Sequence, residues 1–173
     1  NWGMREKTRC LTYAVFGIYL LLLLWMVLFK FATSVDDILS MRHARYLNLI
    51  PFTDSANLYG SNFFDEIVVN FLIFIPFGLY MRMLLKRRSW LIQLLPPFLA
   101  SVAFEVVQYV FAIGVSDITD VIMNTAGAAT GLAVFALLAR FWPEKSEKVI
   151  NVIGLVLEIL FIGFLTFLII ANS

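Results

Sequence analysis

Cysteine occurs once in this 173-residue chain, as Cys10, so no disulfide can close within it and no thiolate cluster can hold a metal. Histidine also occurs once, as His43, which leaves no His-based ligand spacing. Charge is scarce: Asp, Glu, Lys and Arg make up 14% of residues, and 13 basic against 12 acidic side chains leave a net charge of +1. The basic residues are scattered through short connections, which excludes the continuous basic footprint of a nucleic-acid binder. There is no internal repeat, no low-complexity tract and no recognisable nucleophile and base arrangement.

What is abundant is apolar. A hydrophobic fraction of 61% and a mean hydropathy of +0.88 lie well above those of water-soluble domains. A helix that crosses the hydrocarbon layer needs about 20 predominantly apolar residues. Five segments qualify: 11–29, 67–85, 91–113, 121–141 and 149–170, with 30–66 as a long connection. The expected fold is therefore an all-α, polytopic bundle of five transmembrane helices forming a single membrane domain over 1–173. Asn1, Trp2 and Gly3 precede Met4 and read as an appended scar outside the fold. The run after Arg5, Lys7 and Arg9 is too long for a signal peptide and lacks a small-residue cleavage site, so it reads as an uncleaved first span.

Lys and Arg concentrate in cytoplasmic connections. Arg5, Lys7 and Arg9, then Arg82, Lys86, Arg87 and Arg88, then Arg140, Lys145 and Lys148 fall on alternate connections and place the N-terminus in the cytoplasm. Residues 30–66 and 114–120 then lie outside. In the longer of these, Ser34 suits the cap of a short helix with Asp36 and Asp37 in its first turn. Ile38, Leu39, Arg42, Arg45 and Tyr46 suggest a segment along the interface. Pro51 disfavours helix at Ile50, so Asn48 to Phe52 is expected to be extended, as a shallow re-entrant lid.

The polar residues inside the apolar segments gather near the outer face. At a rise of about 1.5 Å per residue, Gln108 lies ~8 Å and Glu105 ~12 Å below the outer end of the third span, on one helical face. Asn70 in the second span and Asp120 and Asn124 in the fourth fall at similar depth. Asp117, Asp120, Asn124, Gly127 and Gly131 step by three, four, three and four along one stripe, acids at its outer end and glycines in its middle. Small residues four apart allow close helix approach in lipid, which would aim the acids at the span carrying Glu105 and Gln108. Plainer uses stand beside this: Ser116 as a helix cap, Asp117 and Asp120 as complements of the helix dipole, and the amides as interhelical glue. Glu105 has no basic residue one turn away, so it needs a proton, an ion or a partner from elsewhere, with Arg42, Arg45 or His43 available. Glu158, in the middle of the fifth span, has no assigned role.

Asn48-Leu49-Ile50-Pro51-Phe52, Asn70 with Phe74-Ile75-Pro76-Phe77-Gly78, Glu105 with Gln108, and Asp117, Asp120, Asn124 and Gly127 occur in an order that resembles the VanZ-like family of small bacterial membrane proteins. The pieces cover roughly Asn48 to Gly131. One departure is Val115, where the family often has an arginine before the first aspartate. The resemblance implies a multi-pass protein of the bacterial cell membrane linked to resistance to teicoplanin, a lipidated glycopeptide. On this reading Asn70, Glu105, Gln108, Asp117, Asp120 and Asn124, with Arg42 and Arg45 for phosphate, form an outer-leaflet ligand site. Its partner besides the bilayer would be the antibiotic or a lipid-linked envelope precursor. The alternative is a membrane enzyme modifying a lipid-linked envelope component, its carboxylates acting as acid and base or as ligands for a hard divalent ion. No catalytic residue, cofactor or resident metal is identified, and transport ranks below both, because the charges stop in the outer half.

Overall fold

The computed structural model describes residues 2–29, 45–53, 63–113 and 115–171. In chain order the elements are α1 (Trp2–Phe29), β1 (Tyr46–Asn48), α2 (Phe63–Leu84), α3 (Trp90–Phe111), β2 (Val115–Asp117), α4 (Ile118–Phe141) and α5 (Ser146–Ala171). All five helices are long and apolar enough to cross a membrane. They coincide with the five expected spans to within a few residues at each end, except that α1 starts at Trp2. Trp2 and Gly3 thus belong to the first helix and do not stand outside the fold. The expected short helix after Ser34, together with Arg42 and His43, lies outside the described residues.

The chain forms two compact units, residues 1–40 with 137–173 and residues 41–136. In the first, Asn151 of α5 donates to the hydroxyl of Thr12 on α1 at 2.8 Å, and Trp25 meets Phe161 edge-on further along both helices. Since both partners advance together, α1 and α5 run parallel. Glu158 is buried although most of α5 is exposed, and its Oε2 has no hydrogen-bond partner among the described residues.

The second unit is held by glycine contacts and by a polar seam. A Cβ on Gly127 would land on the Phe71 carbonyl, one on Gly131 on the Ile75 carbonyl, and one on Gly78 on the Ala128 carbonyl. These contacts advance together along α2 and α4, so the two helices are parallel and touch backbone to backbone, which only residues without a side chain allow. The buried residues of α3 are Gln93, Pro97, Ser101, Glu105 and Gln108, spaced four, four, four and three apart on one face. Most of its leucines, valines and aromatics are exposed, while Phe104 packs edge-on against the buried Phe74 of α2. In water this helix would be inside out; in hydrocarbon, polar groups turn inward because lipid cannot satisfy them. Pro76 is accommodated within α2, and Pro96 and Pro97 within α3.

At the end where α3 finishes and α4 begins, two short strands pair in parallel. Tyr46 aligns with Val115, Leu47 with Ser116 and Asn48 with Asp117. The extended lid expected at 48–52 is a strand end followed by a tight turn: Asn48 Oδ1 accepts from the Ile50 N–H at 3.1 Å. Phe52 adopts a left-handed conformation at φ 58°.

Candidate functional site

The strand pair makes Asp117 the hub of this end. As the residue before α4, it caps the helix: its Oδ1 accepts from the Thr119 N–H at 2.7 Å. Its Oδ2 accepts from the Asn48 amide at 3.0 Å, across a sequence gap of 69 residues. Its own N–H donates to Glu105 Oε2 at 2.8 Å. Sequence reasoning offered Ser116 as a helix cap, but Ser116 lies in β2 and Asp117 does the capping.

Glu105 is 6% exposed. The expectation of a cationic partner is corrected at Arg45, whose guanidinium donates to the Val110 carbonyl at 3.3 Å. There it complements the carbonyl end of the α3 dipole. Glu105 takes a backbone donor, with the Ser116 side chain and the carboxylates of Asp117 and Asp120 close by. A strand N–H is a neutral donor that cannot move away, and it satisfies a carboxyl oxygen without importing a second charge into the membrane. Three acids therefore share one end of the unit. Among the described residues no three Asp, Glu, His or Cys side chains converge as ligands around a common point.

Below this layer Asn124, 1% exposed, donates to the Ser101 hydroxyl at 2.8 Å and joins α4 to α3. Its Oδ1 is buried with no partner among the described residues. Gln108 is buried on the same α3 face as Glu105. Asn70 is half-buried on α2, next to Phe71, whose carbonyl meets Gly127. No hydrogen bond joins Asn70 to the acidic end among the described residues. Asp120 is the half-exposed member of the acidic group.

Sequence reasoning missed three contributors. Thr119, buried, accepts from the Phe52 N–H at 3.0 Å and so holds the turn after β1 over the start of α4. Asn48 was noted within a motif but not as a site residue; its amide also donates to Thr53 at 2.9 Å. Ser101 stands one turn before Glu105, a spacing that does signal a shared face. The turn leaves Ile50 66% and Phe52 55% exposed, an apolar tip fixed beside the polar hub. Membrane-facing α3 and α4 also carry an open apolar groove of ≈ 420 Å³, lined by Phe98, Ile118, Val121, Ile122, Thr125 and two alanines.

The sequence pattern of the VanZ/LLP1 family matches residues 16–140, which contain the whole of the second unit, 41–136. Protein VanZ of Enterococcus faecium is 36% identical over 161 residues, spanning 92% of this chain and 96% of that protein. No solved structure matches the chain.

Proposed function

The chain belongs to the VanZ/LLP1 family, and from that membership we propose that it is a bacterial envelope protein of teicoplanin resistance that works by binding. Its ligand is the antibiotic or a lipid-linked envelope component, and the binding end is the hub of Asn48, Glu105, Asp117 and Asp120. On the orientation expected from the basic connections, this end faces the outer leaflet.

The observation that carries the reading is the convergence of three acids on one end of a unit that otherwise meets lipid. Acidic residues within membrane spans are costly and gather where a ligand or pathway uses them. Capping alone accounts for Asp117, and a backbone bond accounts for one oxygen of Glu105. The α4 dipole favours Asp120 in its first turn but does not call for a third carboxylate so close to Glu105. Because the cluster is acidic, the head group it favours is one rich in N–H and O–H donors or carrying an amine.

The test is teicoplanin susceptibility in cells carrying Asp120→Ala or Glu105→Gln, with the protein quantified in membranes. Both variants are expected to lose the resistance phenotype at undiminished abundance. Full resistance in both, at wild-type abundance, would remove this end of the molecule from the function.

A further inference from the structure

We infer that the groove on α3 and α4 seats a short acyl chain belonging to the same amphiphile whose polar head engages the acidic end, with the Ile50 to Phe52 tip as its upper lip. This rests on the binding reading above and assigns the chemical class of the ligand's other half.

The groove and the polar hub meet along one helix. Val121 of the groove lies four residues beyond Asp117, one turn on along the same face of α4, and Ile118 opens the groove at the first residue of that helix. From Ile118 to Ala129 the groove runs roughly 16 Å down α4 at about 1.5 Å per residue. With C–C bonds of about 1.5 Å, that length holds an extended chain of about a dozen carbons and is far too short for a long polyprenyl tail. The volume of ≈ 420 Å³ falls within the range of about 300–1,000 Å³ usual for small-ligand sites.

Its walls are chemically blank. The one hydroxyl there, on Thr125, is turned back onto the Val121 carbonyl at 2.7 Å, so the residue offers the groove only its methyl group. Ala126 and Ala129 form the recess, and Phe98 of α3 closes one side. At the top, the bond from Phe52 N–H to Thr119 hangs the apolar tip one residue away from Ile118. Ile50 and Phe52, both largely exposed, are unfavourable in water and gain from contact with an apolar chain. An amphiphile lying here puts its tail in hydrocarbon and its head beside the acids at the Asp117 end of the unit.

The experiment compares binding of teicoplanin and of its deacylated core to the purified full chain in nanodiscs, for the wild type, Ala129→Phe and Ala126→Leu. Both substitutions fill the groove from membrane-facing positions, and thermal unfolding confirms that each protein is folded. The wild type is expected to bind the acylated compound at least tenfold tighter than the core, and the ratio is expected to fall to about one when the groove is filled. A wild-type preference that persists in both variants overturns the groove as the seat while leaving the binding reading intact. Equal binding of the two compounds by the wild type overturns it in the same way. Binding of neither compound overturns this inference and removes the antibiotic as the ligand, leaving the binding reading with the lipid-linked envelope component alone. Spin-labelled phosphatidylglycerol that stays in the groove when the acylated compound binds would mark a resident lipid site and also overturn the assignment.

Discussion

At the scale of single residues, the bond from the Asp117 N–H to Glu105 Oε2 separates what charge does from what hydrogen bonding does. Glu105→Gln keeps an oxygen that can accept that N–H, so it is expected to leave the fold intact while removing the ionisable group. Glu105→Ala leaves a buried donor without an acceptor, which costs about 1–3 kcal/mol. Thermal unfolding in detergent should therefore place Glu105→Gln close to wild type and Glu105→Ala clearly below it; equal melting of the two would mean that the bond carries no stability. Asp117→Ala acts differently, because Glu105 is bonded to the backbone of residue 117 and keeps its donor. That variant loses a helix cap, worth about 0.5–2 kcal/mol, and takes from the Asn48 amide its acceptor on β2, leaving it the bond to Thr53. Its expected signature is a lowered melting temperature with β1 and its turn loosened first, read as faster amide exchange at Ile50 and Phe52.

At the scale of elements, the glycines of α2 and α4 set how closely those helices lie. Gly131→Ala would drive a methyl group into the Ile75 carbonyl, and backbone cannot yield as a flexible side chain would. Overpacking of this kind costs about 1–3 kcal/mol, so a clear loss of melting temperature and of membrane abundance is expected. Gly163→Ala on α5 meets nothing within 4 Å and is expected to be neutral in the same assay. The five helices were legible in the sequence because each carries a long apolar run, and the Gly127 and Gly131 stripe was legible because helical spacing is regular. The strand pair was not. Three residues are too few to show an alternating pattern, and β1 exists only because β2 lies 69 residues further along the chain. Arg45, one of the partners the sequence offered for Glu105, bonds the Val110 carbonyl instead, and the donor that Glu105 does take is a main-chain group that no residue type announces. Asp117 was legible as an acid at a helix start, whereas its second bond, to Asn48, depended on a register the sequence does not display.

At the scale of the whole molecule, the functional argument needs the hub and the basic turns on opposite sides of the bilayer. Arg87 and Glu144 lie in the turns before α3 and after α4, two crossings apart, so both must sit on one side whichever way the chain is inserted. Leu49, exposed beside the hub, must sit on the other. On the orientation expected from the excess of Lys and Arg in the connections, the turns are cytoplasmic and the hub is outside. In a Cys10→Ser background, a membrane-impermeant maleimide should label Leu49→Cys in intact cells, and should label Arg87→Cys and Glu144→Cys only after the membrane is opened. Labelling of Arg87→Cys and Glu144→Cys from outside would invert the orientation and move the acidic end to the cytoplasm, where an antibiotic arriving from the medium has no access to it. A split between those two turns would remove one of the intervening crossings and with it the shared layer of Glu105 and Asp117. Labelling of Leu49→Cys from outside, with both turns protected, leaves the acidic hub, the apolar tip and the upper end of the groove facing the leaflet that a lipidated glycopeptide reaches first.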